Sequence, residues 1–193
     1  MICPSPDEAT CTVERNVRLH VDSDGVIRDR ELLKSDAPAQ RVFLPGFVDT
    51  HVHYPQHRIR GRSSGELLPW LEQTVFPEES RFVALDYASD VAEEFCRALL
   101  KHGTTCAQVY GSSDELATYS LFSTLKKFGL RAQVGMTLMD QNAPPELCVS
   151  AGQAEPAIRR LVEKWHGADH DRLRFVITPR FALSCSDELL SMA

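Results

Sequence analysis

From Arg41 onward, the sequence alternates short apolar runs with longer stretches in which apolar residues recur every three or four positions. The short runs have the length and composition of buried strands, and the longer stretches have the pattern of amphipathic helices. Strands that alternate with helices of a dozen residues or more pair in parallel through right-handed crossovers. The sequence therefore predicts an α/β fold.

The predicted elements can be placed along the chain. Strands are expected at residues 42–53, 104–110, 132–139 and 173–178, and helices at 84–101, 115–128, 153–166 and from about 184–188. Gly103 and Gly129 follow two of these helices, where glycine often ends a helix. A doubly wound sheet and a (β/α)8 barrel both begin this way, but a barrel needs about 250 residues. The 193 residues would supply the first half of a barrel, and a small complete α/β domain is the other interpretation.

Residues 1–44 have a different pattern from the rest of the chain. Alternating stretches at 17–21 and 25–28 flank the turn sequence Asp22-Ser23-Asp24-Gly25, which predicts a β-hairpin. A single hairpin is too small to be stable by itself. The sequence thus predicts two regions, an N-terminal β region at 1–44 and a series of α/β units at 45–193.

Composition and missing motifs exclude several classes of function. The net charge of −6 provides no basic field for nucleic acid or an anionic membrane surface. The six cysteines form no CxxC pair, no signal peptide pattern precedes them, and no apolar run reaches about 18 residues. Phosphate-binding loops, dinucleotide motifs and the P-C-x-x-C motif of another zinc deaminase class are also missing. We therefore expect a cytoplasmic protein without nucleic acid or membrane partners.

Two histidines mark the end of the first predicted strand. His51 and His53 lie two positions apart, so both side chains project from the same face of a strand. Imidazole is a common zinc ligand, although an HxH pair also occurs by chance. A Gly- and Ser-bearing loop is expected to follow, with a series of polar side chains: Gln56, His57, Arg58, Arg60 and Arg62. Such a series is typical of the mouth of a barrel, so we expect a metal site at this end of the strand.

The run Leu44–His53, which reads LPGFVDTHVH, resembles the PGFVDxHxH signature of the amidohydrolase superfamily. These proteins are metal-dependent hydrolases with a distorted (β/α)8 barrel beside a small β-sandwich. The resemblance implies that His51 and His53 are ligands of a metal ion, expected to be Zn²⁺, and that residues 1–44 form part of the sandwich. Iron stays open as an alternative, because two histidines suit either metal.

Further motifs resemble those of the guanine deaminase family within this superfamily. They lie at residues 53–56, 68–72, 76–82, 102–105, 139–142 and 178–186, so the resemblance covers roughly residues 41–190. It implies hydrolytic deamination of guanine to xanthine and ammonia in purine catabolism.

The same resemblance implies which residues contact the purine. They are His53, Tyr54, Pro55, Gln56, Arg180 and Phe181. A glutamine amide and a guanidinium can match the donors and acceptors on the edge of guanine, and an aromatic ring can cover its face. Without the motif, Gln56 would be interpreted as a loop residue, Arg180 as an ion-pair partner and Phe181 as part of the core.

The resemblance places the proton-transferring glutamate and aspartate of the family on later strands, beyond Ala193, so no catalytic residue is assigned within this sequence. We accordingly expect an N-terminal portion of a guanine deaminase that is inactive alone and whose parent is a homodimer. Two alternatives stay open. One is a related amidohydrolase that acts on a pterin, a triazine or another aminopurine. The other is a non-catalytic truncated isoform that binds the full-length subunit.

Overall fold

The N-terminal residues form antiparallel pairs of short strands in the computed structural model, which describes residues 1–4, 10–34, 41–62 and 65–193. Strand β1 (Ile2–Pro4) pairs with β2 (Cys11–Val13), and β3 (Val17–Val21) pairs with β4 (Ile27–Leu32). These strands belong to the first of two units, Met1–Gly46, and the second unit is Phe47–Ala193.

The predicted hairpin is confirmed as β3 and β4, and its turn is organised by Asp22. The Asp22 Oδ1 atom accepts hydrogen bonds from the backbone N–H groups of Asp24 and Val26, at 2.9 and 2.8 Å. Its other carboxylate oxygen accepts from Arg28 Nε at 2.6 Å. The bond from Val26, followed by that from Arg28, lowers the pKa of Asp22 below its usual range. An aspartate that bonds the backbone two residues on favours a tight turn.

The second unit contains the parallel sheet that the alternating pattern predicts. Its strands are β5 (Phe47–His53), β6 (Thr104–Tyr110), β7 (Arg131–Gly135), β8 (Thr137–Leu138), β9 (Leu173–Phe175) and β10 (Thr178–Pro179). Within the described residues, one sheet has the order β5-β6-β7-β9, and β8 pairs with β10. All of these pairings are parallel, so the α/β prediction is confirmed.

Three predicted strand boundaries need correction. The first strand begins at Phe47 and not at residue 42, since Pro45 cannot donate to a sheet and precedes Gly46. The third and fourth predicted strands are each interrupted, giving β7 with β8 and β9 with β10. The backbones approach closely at this interruption, where a Cβ atom on Gly135 would lie 2.3 Å from the carbonyl oxygen of Val176.

Helices connect the strands and cover the sheet. They are α1 (Leu67–Trp70), α2 (Phe76–Glu79), α3 (Leu85–Lys101), α4 (Glu115–Phe128), α5 (Ala151–Trp165), the short turn α6 (Ala168–Asp171) and α7 (Asp187–Met192). The long predicted helices α3, α4 and α5 are confirmed. Asp114 caps α4 by accepting from the N–H of Ala117 at 2.8 Å, and Ser150 caps α5 in a capping box with Gln153. No helix among the described residues has the length and apolar character needed to cross a membrane.

The connection between β5 and α3 was expected to be a loop, and that expectation is wrong for most of its described part. Short 3-10, α and π turns occupy residues 54–59 and 67–83, and we call this segment the helical connection. Its helices are too short to show an amphipathic repeat, and Pro55 and Pro77 lie in their first turns. Ser63 and Ser64 of the predicted loop lie outside the described residues.

The main core lies between the sheet and helices α3, α4 and α5. Val109 and Val134 from the strands and Leu121 and Phe122 from α4 have no exposed surface. The ring of Phe122 stacks on that of Trp165, with centroids 5.3 Å apart and planes 5° from parallel. A smaller apolar cluster fixes the helical connection and includes Ile59, Leu71, Val75, Phe76, Met139 and Leu147. Together these clusters position the carboxyl ends of the strands, where the candidate site lies.

Candidate metal and substrate site

The candidate site lies where the parallel strands end. Strand β5 ends at His53 and β6 ends at Tyr110, and these two residues are partners in the sheet register. The short strand β10 ends at Pro179 and leads directly into Arg180. In parallel α/β proteins, loops at the carboxyl ends of the strands carry the functional groups.

The two predicted metal ligands are close together. The Nε2 atoms of His51 and His53 lie 3.2 Å apart, and the two rings meet edge to face. The ring of Tyr110 stacks on that of His53, with centroids 4.6 Å apart and planes 17° from parallel. Tyr110 was not predicted as a site residue. Its position as the last residue of the second strand, beside the end of the first, is the signal that would have indicated it.

The surroundings of His53 favour its neutral form. Burial is the largest cause and lowers the pKa of His53 to about 4, with the positive charge of Arg180 and the neighbouring His51 adding to the effect. Neutral imidazole is the form that binds metal ions. His53 is therefore ready to act as a ligand at neutral pH without losing a proton.

The geometry of the pair fits two ligands of one zinc ion. Tetrahedral zinc with Zn–N bonds of about 2.0–2.1 Å holds two nitrogen ligands about 3.3 Å from each other. The observed Nε2 separation is 3.2 Å. Across the part of the chain that the structure describes, no group of three or more His, Cys, Asp or Glu side chains could hold a metal ion. The described residues thus bring two candidate ligands together and include no group of three.

A buried carboxylate connects two of the predicted substrate residues. Arg180 Nη1 donates to Glu79 Oε2 at 2.5 Å, and Gln56 Nε2 donates to Glu79 Oε1 at 3.0 Å. Glu79 and Arg180 are 6% and 5% exposed, respectively. The structure therefore brings Gln56 and Arg180 together through a residue for which no role was predicted. Glu79 lies in the 76–82 motif, and that motif was the available signal.

Aromatic rings flank the Arg180 guanidinium. The ring centroids of Phe76 and Phe181 lie 5.8 and 5.9 Å from its central carbon. The Phe181 side chain is 51% exposed, and its backbone has φ 58° and ψ 137°. A positive φ is unfavourable for a side chain with a Cβ atom and is found most often where function requires it. Phe181 is thus held in a strained backbone conformation with its ring partly open to solvent.

Tyr54 and Pro55, also predicted to contact the substrate, have buried side chains. The Tyr54 hydroxyl donates to the carbonyl oxygen of Ala88 at 2.6 Å, and its ring packs edge to face on Phe82. Burial raises the pKa of Tyr54 well above its usual range. Pro55 is buried in the first turn of the 3-10 helix. The Tyr54 side chain lies in the core, where its hydroxyl attaches the helical connection to α3.

The site residues line two cavities. His51, His53 and Gln56 line a cleft of about 530 Å³ that also borders Trp70. Phe76 and Phe181 line an apolar groove of about 710 Å³ with Leu71 and Leu183. Glu79 joins Gln56, which lines the cleft, to Arg180, which directly precedes the groove residue Phe181. A ligand that contacted His51, Gln56 and Phe181 would have to reach both cavities.

Residues 42–193 match the family model described as "Amidohydrolase family". The chain belongs to the amidohydrolase family. The predicted resemblance, which rests on the LPGFVDTHVH run, is confirmed. The amidohydrolase signature therefore coincides with the strand that carries the paired histidines.

Within this family, the chain is similar to individual guanine deaminases. The chain is 42% identical over 149 residues to a probable guanine deaminase of Deinococcus radiodurans, and the match covers 77% of this chain and 34% of that protein. It is 39% identical over 153 residues to the guanine deaminase of Escherichia coli, covering 79% of this chain and 34% of that protein. The chain thus spans about a third of the length of the curated relatives it matches.

The fold is also similar to that of a solved guanine deaminase structure. The guanine deaminase of C. acetobutylicum, crystallised with guanine bound in its active site, has a TM-score of 0.88 and 30% identity to this chain. The match covers 99% of this chain and 47% of that one. The predicted fold class is confirmed, because the α/β units correspond to part of an amidohydrolase barrel.

Proposed function

We propose that this chain carries the first metal ligands and the guanine-binding side chains of a zinc-dependent guanine deaminase. One observation supports this most directly. The paired Nε2 atoms of His51 and His53 lie at the same strand ends as the hydrogen-bonded group of Gln56, Glu79 and Arg180. The similarity to the guanine deaminase of Escherichia coli and to the probable guanine deaminase of Deinococcus radiodurans supports the choice of substrate.

In this proposal the residues of the chain have separate tasks. His51 and His53 would hold the zinc ion, which when bound would activate water for attack on a carbon that carries an amino group. Gln56 and Arg180 bind the polar edge of guanine, and Phe181 covers its face. His53 is held in the neutral form that a ligand needs. The overall reaction is hydrolysis of guanine to xanthine and ammonia.

The test uses the complete gene product, meaning the protein translated from the whole reading frame that contains these residues. We expect zinc-dependent formation of xanthine from guanine, and loss of both zinc and turnover in His51→Ala and His53→Ala. A pterin, a triazine and adenine serve as competing substrates. Faster turnover of one of these than of guanine would contradict the proposed substrate, and full activity without zinc would contradict the proposed metal.

The 193-residue chain is assayed alongside the complete gene product. We propose that it forms no xanthine, because its described residues bring together two candidate ligands and no group of three. Zinc-dependent turnover by the purified chain would overturn this part of the proposal. Inhibition of the complete product by added chain would support the alternative of a truncated isoform that binds the full-length subunit.

We also propose a cytoplasmic location and a homodimeric parent protein. Cys11, Cys96, Cys106, Cys148 and Cys185 are free thiols, which fits a reducing compartment, and the side chain of Cys3 lies outside the described residues. Cell fractionation checks the location. Light scattering on the complete gene product checks the homodimer, and a monomer at micromolar concentration would contradict it.

A further inference from the structure

A carboxylate such as that of Glu79 accepts hydrogen bonds and does not donate them. Each of its oxygens has a donor, since Oε1 accepts from Gln56 Nε2 and Oε2 accepts from Arg180 Nη1. Glu79 is 6% exposed, so it has little access to water as an alternative partner. Both neighbours are therefore required to turn a donor toward it.

This requirement fixes the orientation of the Gln56 amide. Its NH₂ group faces Glu79, because the reverse orientation would place the amide oxygen against a carboxylate oxygen. The amide oxygen of Gln56 then points away from Glu79, and Gln56 lines the 530 Å³ cleft together with His51 and His53. Toward a ligand in that cleft, Gln56 presents a hydrogen-bond acceptor.

The same carboxylate fixes the Arg180 guanidinium. Arg180 is 5% exposed and lies near the rings of Phe76 and Phe181, so its charge needs a partner inside the protein. The guanidinium is planar and carries five N–H donors in a rigid fork. The bond to Glu79 holds Nη1 on the carboxylate, and the planar fork then restricts where the remaining donors can point.

We propose that Glu79 is the positioning residue that makes Gln56 an acceptor and Arg180 a donor toward the ligand. Such an arrangement selects a heterocycle that has an N–H group beside a ring or carbonyl acceptor, as guanine has, and disfavours a ring edge with the reverse order. The inference rests on the proposed function, which supplies guanine as the ligand. Glu79 acts through its two neighbours and needs no contact with the reacting atoms.

The test compares Glu79→Gln, Glu79→Asp and Glu115→Gln in the complete gene product. Glu115 is the control because its carboxylate also forms a two-bond pair with an arginine, Arg160, but on the surface of α4. In Glu79→Gln we expect the KM for guanine to rise at least about tenfold, while kcat changes less than about threefold. Glu79→Asp retains the charge on a shorter side chain and should recover part of the lost affinity. Glu115→Gln should change neither constant.

A double-mutant cycle separates positioning from a merely structural role. If Glu79 acts through Gln56, adding Gln56→Ala to Glu79→Gln should raise the KM much less than the product of the two single effects. Fully multiplicative effects would overturn the inference. Circular dichroism and thermal melting establish that each variant is folded, and if Glu79→Gln does not fold, Glu79→Asp decides the question through its KM.

The outcomes also distinguish this inference from the proposed function. If the wild-type protein converts guanine and the Glu79 variants have an unchanged KM, the inference is wrong and the proposed function stands. If the wild-type protein neither binds nor converts guanine, the proposed function is wrong, and guanine is also wrong as the ligand that Glu79 helps to select. A raised KM, a nearly constant kcat and non-multiplicative effects with Gln56→Ala support the inference.

Discussion

Leu121 and Phe122 in the core and Glu79 and Arg180 at the candidate site are all buried, but the two regions use burial differently. The core residues contact apolar neighbours, and the ring of Phe122 stacks on Trp165. The site residues carry opposite charges that contact each other. Burial of apolar surface stabilises a fold directly, whereas burial of charge costs free energy that the ion pair only offsets.

This difference teaches that stability and function are separated within the second unit. The core follows local rules of periodicity and packing, and the site departs from them with a buried ion pair, a strained Phe181 and two histidine nitrogens 3.2 Å apart. Departures of this kind are expected where function requires them. Substitutions at the site should therefore change activity more than stability, and substitutions in the core should do the opposite.

The largest effect should come from the proposed metal ligands. Under the proposed function, we expect His51→Ala to lower guanine turnover of the complete gene product by at least about a thousandfold, since the bound metal would activate the attacking water. In the 193-residue chain, where His51 is exposed, the same substitution should change the melting temperature little. His20→Ala, at another exposed histidine in β3, is the control and should retain activity. Equal activity of the two variants would contradict the predicted role of His51.

In the core, Phe122→Ala should show the reverse behaviour. The ring has no exposed surface, so its loss should lower the free energy of unfolding by about 3–5 kcal/mol through lost burial and a cavity. Urea denaturation measures the change. Leu116→Ala is the control on the same helix, because Leu116 is 61% exposed and should cost less than about 1 kcal/mol. A similar cost for the two variants would remove the distinction between core and surface.

Two substitutions at Phe181 test the comparison between core and site at a single position. With φ at 58°, replacement by glycine should give a more stable protein than replacement by alanine, by about 1–2 kcal/mol. Both variants lose the ring and should raise the KM for guanine about tenfold. Urea denaturation and steady-state kinetics measure the two effects. If the alanine variant were the more stable of the two, the strain assigned to Phe181 would be wrong.

The smallest effect should come from a surface ion pair. Glu115 accepts two hydrogen bonds from Arg160, both at 2.7 Å, but the Arg160 side chain is 60% exposed. We expect Glu115→Gln to lower the free energy of unfolding by less than about 1 kcal/mol, because solvent screens the exposed pair. Urea denaturation in low and high salt checks this. A loss as large as that of Phe122→Ala would show that surface charge, and not the core, dominates stability.

Much of the fold could be predicted from local pattern. Helix α4 begins after Asp114 and ends before Gly129, and strand β6 covers residues 104–110, all as the sequence indicates. The helical connection was missed, because its turns are too short to repeat an apolar stripe and are held by contacts such as that of Tyr54 with Ala88. Local periodicity carries no information about contacts between residues 34 positions apart.

The candidate site, like the fold, could be predicted from the sequence only in part. The HxH spacing of His51 and His53 is local, so the sequence alone could indicate a shared face and a metal. The stacking of Tyr110 on His53 and the bond between Glu79 and Arg180 join residues that are far apart in the chain. The first contact depends on which strands end side by side, and the second depends on where the helical connection packs.

The sequence by itself therefore determined the α/β class, the amidohydrolase signature and the pair of candidate metal ligands, because each depends on residues within one strand or helix. Only the tertiary structure decided that Tyr54 lies in the core and that Glu79 joins Gln56 to Arg180. The physical reason is that burial and hydrogen-bond partners are properties of the packed chain. A carboxylate 101 positions from its arginine becomes its neighbour only when the sheet and the helical connection are assembled.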